Sequence, residues 1–218
     1  MDTPPAPDEV FAFWEDMYRA REGVWSGHVN TAVADVAGAL PPGRAIDLGA
    51  GEGGDALWLA ERGWTVTGVD VSPTALARAQ AAAERAGLSE RITWVAADLH
   101  TWRPAERVDL VTAAFFQSPV ALERATILRV ARGWVAPGGH VLVVSHAARP
   151  PWAVDDDHGH DGGGPEDFPT PEEELVGLGL PEVGWEVAIA EIRDRSAYAP
   201  DGTEVELSDT VVLVRRTS

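Results

Sequence analysis

Acidic residues end three apolar runs in the first half of the chain, and a glycine-rich segment follows the first of them. The first run ends at Asp47-Leu48, directly before Gly49-Ala50-Gly51-Glu52-Gly53-Gly54, and the next two end at Asp70 and Asp98. Glycines at such a turn allow positive φ and let a ligand approach the backbone without meeting a Cβ. A helical pattern begins near residue 55, and the free N–H groups of its first turn would face that ligand. The segment therefore predicts a site for a nucleotide-type cofactor.

The glycine segment satisfies two cofactor-binding patterns. Gly49, Gly51 and Gly54 fit the G-x-G-x-x-G pattern of dinucleotide-binding proteins, in which Asp70 would bind a ribose hydroxyl. Gly49, Gly51 and Gly53 fit a tighter G-x-G-x-G loop. Asp47 favours the second pattern, because a carboxylate suits a ligand with an amino group and a sulfonium better than one with a pyrophosphate. The chain also leaves no region for the substrate domain that most dehydrogenases carry.

Strands and helices alternate around these motifs, which predicts parallel βαβ units with right-handed crossovers. Predicted strands cover residues 44–48, 65–69, 91–96, 108–114 and 140–145. Predicted helices cover residues 8–21, 30–40, 55–62, 73–86 and 121–134, with Asp8 and Ser72 as N-caps. The turn at residues 137–139 should precede the fifth strand.

The pattern changes after His146. Residues 147–169 are polar, acidic and rich in glycine and proline, which predicts a flexible loop. Thr170 and Glu173 form a capping-box pattern that predicts a helix, and residues 186–192 and 210–214 should form an antiparallel strand pair. We therefore expect one domain over residues 1–218. It would consist of an N-terminal helical cap (1–40), a cofactor-binding core (44–146), the acidic loop and a C-terminal part (170–218).

Five motifs in order resemble those of class I S-adenosylmethionine (SAM)-dependent methyltransferases. They are Asp47-Leu48-Gly49-x-Gly51-x-Gly53, Thr67-Gly68-Val69-Asp70-Val71-Ser72, Ala97-Asp98, Val108-Asp109-Leu110-Val111 and Pro137-Gly138-Gly139-His140. The resemblance runs from about Phe13 to Arg216. It implies an α/β, Rossmann-like, doubly wound fold: a seven-stranded, mostly parallel sheet with the last strand antiparallel and helices on both faces.

The resemblance also implies roles for individual residues. Asp47 would orient the amino group of SAM, Asp70 would bind the ribose hydroxyls, and Asp98 would accept a hydrogen bond from adenine N6. As alternatives, Asp47 would cap the next turn and Asp98 would cap local backbone. The predicted cofactor-binding residues are Trp25, Asp47, Gly49, Ala50, Gly51, Gly53, Asp70, Val71, Ala97, Asp98, Leu99 and Ala113.

Trp14, Tyr18 and Trp25 have the spacing of an N-terminal aromatic set in the thiopurine, halide/thiol and tellurite-resistance-like methyltransferases. In those families the aromatics cover the cofactor, and Tyr18 stands where halide/thiol members have tryptophan. Trp25 is interpreted as a lid over cofactor or substrate, with a core tryptophan as the alternative. For Trp14 a helix packing face is favoured.

Candidate acceptor contacts follow the fourth and fifth strands. Phe115, Phe116, Gln117 and Trp152 are predicted to line the acceptor pocket. His146 and His28 are candidates for a general base, which a hydroxyl or a protonated amine would need; a surface or structural histidine is the alternative for each. The Asp/His-rich residues 155–161 are interpreted as a solvated loop or lid, so no metal site is predicted.

Composition narrows the class of substrate. The formal net charge is −18, and such a chain is poorly suited to bind nucleic acid. No cysteine is present, which excludes thiolate catalysis and fits a reducing cytosol. The N-terminus does not resemble a secretory signal, and no apolar run could span a bilayer.

We expect a cytoplasmic enzyme that transfers a methyl group from SAM to O, N or S of a small molecule, without nucleic-acid or membrane partners. The alternatives are an NAD(P)-dependent oxidoreductase and a non-catalytic protein that binds SAM or a metal. The oligomeric state is left open.

Overall fold

A seven-stranded sheet lies at the centre of a computed structural model that describes residues 7–120, 122–149, 168–199 and 201–218. The strands are β1 (Arg44–Leu48), β2 (Thr65–Asp70), β3 (Ile92–Ala96), β4 (Val108–Ala114), β5 (Val135–His146), β6 (Trp185–Tyr198) and β7 (Glu204–Arg216). The helices are α1 (Pro7–Arg19), α2 (Thr31–Ala37), α3 (Gly54–Glu61), α4 (Pro73–Ala86), α5 (Arg124–Arg132) and α6 (Pro171–Gly177). The Asp/His-rich residues 155–161, predicted as a loop or lid, and the predicted acceptor contact Trp152 lie outside the described part of the chain.

The strand order is β3-β2-β1-β4-β5-β7-β6. The first five strands pair in parallel, and β7 pairs antiparallel with both β5 and β6. This confirms the predicted fold class, including the antiparallel last strand. The order reverses direction between β1 and β4, and open α/β sheets bind their ligands beside such a position.

Each face of the sheet carries its own apolar core, because neighbouring strand residues point to opposite faces. On one face, Val111 and its neighbours pack with Leu128 of α5 and with Leu178 directly after α6. On the other face, Leu110 packs with Leu59 of α3 and with residues of α2 and α4. Helices therefore cover both faces, as predicted.

Local sequence signals explain the helix ends that were predicted correctly. The Ser72 hydroxyl accepts a hydrogen bond from Ala75 N–H at the start of α4, and Gly87 ends that helix at φ 71°. Thr170 and Glu173 form the complete capping box of α6. The prediction of Asp8 as an N-cap is wrong, because α1 begins at Pro7 and Asp8 lies in its first turn.

The fifth strand is longer than predicted. The turn expected at residues 137–139 lies inside β5, where the pairing with β4 shifts between Val108 and Leu110. Gly138 has φ 88°, and a Cβ at Gly139 would lie 2.7 Å from the carbonyl oxygen of Asp109. These glycines let the strand accommodate extra residues and continue, so what looks like a turn in sequence is an irregularity within the strand.

A buried carboxylate of α1 binds the start of α4. Glu15 is 2% exposed and accepts hydrogen bonds from the Ser72 and Thr74 hydroxyls, at 2.6 Å each, where α4 begins. This contact fixes the helix that carries Trp14 and Tyr18.

Within the described ranges, no helix is both long and apolar enough to cross a membrane.

Candidate functional site

A cavity of about 950 Å³ opens at the carboxyl edge of the sheet. It is lined by the glycine loop (residues 49–54), by residues that follow β2, β3, β4 and β5, and by residues of the N-terminal segment 10–31. The cavity is therefore built at the place where the strand order reverses, from elements that are far apart in sequence.

The glycine loop is shaped by positive φ angles at Gly49, Gly51 and Gly53, of 65°, 51° and 89°. Side chains from elsewhere approach it closely. A Cβ at Gly51 would lie 2.9 Å from the phenolic oxygen of Tyr18, and one at Gly49 would lie 2.8 Å from the ring of Phe116. Both conformation and space thus require glycine at these two positions.

Asp70 holds the glycine loop to the start of α4. One carboxylate oxygen accepts the N–H of Gly51 and the other accepts the N–H of Ser72, both at 2.8 Å. Burial raises the pKa of Asp70, and these backbone hydrogen bonds offset part of that effect. Each oxygen has a second lone pair, so Asp70 keeps the capacity to accept a hydroxyl from the cavity.

Asp47 is a second buried carboxylate on the cavity wall. The Thr112 hydroxyl donates to it at 2.7 Å from the neighbouring strand β4. Burial, together with the nearby carboxylate of Asp55, raises the pKa of Asp47 well above its ordinary value. Burial also raises the pKa of Asp55 to about 6, although its hydrogen bond from Asn30 N–H acts in the opposite direction. This end of the cavity therefore favours a ligand group with positive charge. Neither Asp55 nor Thr112 was predicted as a site residue.

Asp98 lines the cavity beyond β3, and one of its carboxylate oxygens accepts the N–H of His100 at 2.8 Å. This hydrogen bond is the local backbone cap that was the alternative to adenine binding for Asp98. It occupies one oxygen and leaves the other with its hydrogen-bonding capacity. Val71, Ala97 and Leu99 lie on the same part of the wall.

Trp25 covers the glycine loop from outside. It is 56% exposed, so the alternative of a core tryptophan is wrong. Its indole N–H donates to the phenolic oxygen of the buried Tyr18 at 2.8 Å. Its backbone N–H donates to Glu52 of the glycine loop at 2.9 Å, and Glu52 in turn pairs with Arg78 of α4.

Trp14 also lines the cavity and donates its indole N–H to the Ser118 hydroxyl at 3.2 Å. Trp14 is a residue of α1, so this hydrogen bond joins the helix to the segment after β4.

The segment after β4 forms the other end of the cavity. Phe115 has φ 50°, uncommon for a residue with a side chain, and its ring stacks on His146 with 4.1 Å between centroids. Gln117 accepts the backbone N–H of His146 at 3.1 Å. The backbone strain at Phe115 is thus accompanied by contacts that hold His146 in place.

All the predicted site residues in the described part of the chain line this cavity except one. Ala113 is fully buried in the core, and its neighbour Ala114 lines the cavity instead. His28 is on the wall, but its backbone lies against Gly54 at the far side of the glycine loop from the segment after β4. Trp152 lies outside the described residues.

Two further residues near His146 were not predicted. Asp209 of β7 is 2% exposed and lies 3.6 Å from His146, and Arg195 of β6 donates to Asp209 at 2.6 Å. Their strands follow the acidic loop, so sequence spacing carries no signal that Arg195 lines this cavity or that Asp209 lies beside His146.

The fold and the cavity are those of a Rossmann-like α/β domain that binds a nucleotide-type cofactor at the carboxyl edge of its sheet. Residues 45–139 match a family described as a methyltransferase domain. Together with the relatives below, this match confirms the resemblance to class I SAM-dependent methyltransferases, and with it the predicted cofactor, SAM.

Two relatives and one solved structure illustrate the similarity. Thiocyanate methyltransferase 1 of Arabidopsis thaliana is 28% identical over 200 residues, which are 84% of this chain and 83% of the relative. The 2-heptyl-1-hydroxyquinolin-4(1H)-one methyltransferase of Mycobacteroides abscessus is 37% identical over 114 residues, 50% of this chain and 49% of that protein. The 1,6-didemethyltoxoflavin-N1-methyltransferase of Burkholderia thailandensis shares the fold with a TM-score of 0.69 at 21% identity, covering 100% of this chain and 94% of that one.

Proposed function

We propose that the protein transfers the methyl group of SAM to an oxygen, nitrogen or sulfur atom of a small molecule. One observation carries the proposal. A single cavity joins the glycine loop and the carboxylates of Asp47 and Asp70 to an aromatic, histidine-bearing end at Phe115 and His146. A donor site and an acceptor site within one cavity are the minimum that a transferase needs.

The residues at the glycine loop fit SAM. Asp47 and Asp55 are neighbouring buried carboxylates, and the ammonium group of SAM would neutralise the charge that burial disfavours there. Asp70 would accept the ribose hydroxyls and Asp98 the adenine amino group. SAM supplies a methyl group on a positively charged sulfur that leaves readily.

The protein's contribution to the reaction is alignment and exclusion of water. The acceptor atom attacks the methyl carbon in line as the carbon–sulfur bond breaks, so the three atoms must be held in one geometry. Phe116 contacts the glycine loop from the acceptor side, and the Tyr18–Trp25 pair covers it from the N-terminal side. These side chains would shield the reacting atoms from solvent.

The cavity suits a small and largely apolar acceptor. Its volume of about 950 Å³ lies at the upper end of the range of ligand pockets, which is about 300–1,000 Å³. Apolar and aromatic side chains line the part between α1 and the segment after β4, namely Val10, Phe13, Trp14, Phe116, Leu122 and Ile127. The relative named for a heptyl-hydroxyquinolone supports an apolar acceptor, and the relative named for thiocyanate supports a small one.

Two measurements test this proposal. Calorimetric titration with S-adenosylhomocysteine and with NAD(P) should show binding of the first compound only. Mass spectrometry should then detect a mass gain of one methylene in at least one acceptor from a panel of thiocyanate, thiols, phenols, hydroxyquinolines and amines. Binding of NAD(P) alone would contradict the proposal. Tight binding of S-adenosylhomocysteine without transfer to any acceptor would favour a non-catalytic SAM-binding protein.

A further inference from the structure

Asp209 is a buried carboxylate whose two oxygens differ in their hydrogen bonding. Its side chain is 2% exposed, and one oxygen, Oδ2, accepts the Nε–H of Arg195 at 2.6 Å. The other oxygen, Oδ1, is buried and has no hydrogen-bond partner among the described residues. A buried acceptor without a hydrogen bond destabilises the folded protein, so its retention here calls for a functional explanation.

The free oxygen faces His146. The two residues are directly opposite each other in the antiparallel pairing of β5 with β7, and Oδ1 lies 3.6 Å from Nδ1 of the imidazole. That distance is too long for a hydrogen bond, but catalytic hydrogen bonds are often long before ligands bind. Because Nδ1 faces Asp209, the Nε2 atom lies on the opposite side of the ring.

We propose that Asp209 is the positioning residue for His146, and that His146 is the general base for an acceptor whose nucleophile is a hydroxyl group. This inference rests on the proposed methyl transfer and specifies its substrate class. An Nδ1–H group donating to Oδ1 of Asp209 fixes the tautomer in which Nε2 carries a lone pair. The Arg195 guanidinium holds Asp209 in place, and the stacked Phe115 ring holds the imidazole plane.

The proton balance of the step is simple. The Nε2 atom of His146 takes the hydroxyl proton as the new oxygen–carbon bond forms and the carbon–sulfur bond breaks. The imidazolium is stabilised by Asp209 until it releases the proton to water. The products are the methyl ether, S-adenosylhomocysteine and one proton. A thiolate acceptor carries no proton at the nucleophile and needs no base.

Arg149, which follows β5, and Glu123, which precedes α5, also line the cavity. The proposal predicts that hydroxyl methylation needs the imidazole of His146 as a base, whereas methylation of an ionised thiol does not.

The test compares a phenol with a thiophenol of the same shape as acceptors, in the full-length protein. Asp209→Asn should lower kcat for the phenol by about tenfold or more, because the carboxylate that orients the imidazole is lost. His146→Gln should lower it by about 100-fold or more. Neither should change kcat for the thiophenol or the affinity for S-adenosylhomocysteine by more than about twofold. Asp194→Asn is the control, since Asp194 is an exposed carboxylate on β6 that accepts the Ser208 hydroxyl across the strand pair.

Several outcomes would overturn the inference. They are an unchanged phenol rate in either variant, an equal loss with both acceptors, and wild-type protein that methylates thiols but no hydroxyl compound. If Asp209→Asn fails to fold, the selective loss of phenol methylation in His146→Gln decides. Wild-type protein that methylates nothing would instead contradict the proposed function.

Discussion

Glu52, in the middle of the glycine loop, accepts the backbone N–H of Trp25 at 2.9 Å. It also accepts the N–H of Val24 at 3.0 Å and pairs with Arg78 at 2.7 Å. Arg78 in turn donates to the carbonyl oxygen of Tyr18. One carboxylate thus joins the cofactor loop to the segment that covers it, so the cover and the loop should be ordered together.

Replacing Glu52 with alanine should therefore weaken S-adenosylhomocysteine binding without unfolding the protein. The lost hydrogen bonds are charge-assisted, and about 1–3 kcal/mol of binding free energy is expected to disappear. Calorimetric titration gives the change in Kd. Glu22→Ala removes an exposed carboxylate from the same N-terminal segment and should leave Kd unaltered. If both variants bind like the wild type, the cover does not contribute to cofactor binding.

The hydrogen bond between Trp25 and Tyr18 can be tested by a double-mutant cycle. Tyr18→Phe removes the acceptor oxygen and keeps the buried ring, whereas Trp25→Phe removes the donor. Each variant should weaken S-adenosylhomocysteine binding, and the double variant by less than the sum, with a coupling energy of about 0.5–1.5 kcal/mol. Additive effects would mean that the two side chains act separately.

These contacts show what sequence reasoning could and could not supply. The glycine loop, Asp47 and Asp70 were predictable because strand, turn and acid are adjacent in the chain. Asp209 was not, because only the register between β5 and β7 places it opposite His146.

Ala113 illustrates the same limit at the scale of one residue. The end of β4 lies at the cavity, but which of two adjacent alanines faces it depends on the pleat of the strand. The acceptor end of the site brings together residues that are far apart in the sequence, whereas the glycine loop is one continuous segment. For this reason the sequence indicated the cofactor class better than the acceptor.

Cofactor affinity should depend on pH through the Asp47–Asp55 pair. Burial raises the pKa of Asp55 to about 6 and raises the pKa of Asp47 as well. Below about pH 6 the pair therefore holds protons that a cationic ligand must displace. S-adenosylhomocysteine should bind more weakly at pH 5 than at pH 7.5, with proton release on binding. Calorimetry in buffers of different ionisation enthalpy measures that release.

The raised pKa of Asp55 also determines whether the free energy of unfolding rises or falls with pH. The folded protein binds more protons at Asp55 than the unfolded chain does between pH 3.8 and about 6. The contribution of Asp55 to the free energy of unfolding of the ligand-free protein therefore falls as pH rises through that window. Asp55→Asn should flatten both the stability profile in this window and the pH dependence of binding. A variant with the wild-type pH dependence would assign the protons to other groups.

Arg124 of α5 neutralises a buried carboxylate directly behind the acceptor end of the site. It donates to both oxygens of Glu174, which is 1% exposed, at 2.7 and 2.8 Å, and to the carbonyl oxygen of Phe116 at 2.8 Å. Arg124→Ala would leave the charge of Glu174 buried without its ionic partner. The free energy of unfolding should fall by about 3–5 kcal/mol, measured by urea denaturation.

Combining Arg124→Ala with Glu174→Gln should restore part of that stability, because the buried charge is removed with its partner. Arg129→Ala, on an exposed position of the same helix, should change stability by less than about 0.5 kcal/mol. Methyl transfer should stay low even in the stabilised double variant, since Phe116 has lost the contact that fixes its backbone beside the glycine loop. Full activity in the double variant would show that Arg124 serves stability alone and that the position of Phe116 does not depend on it.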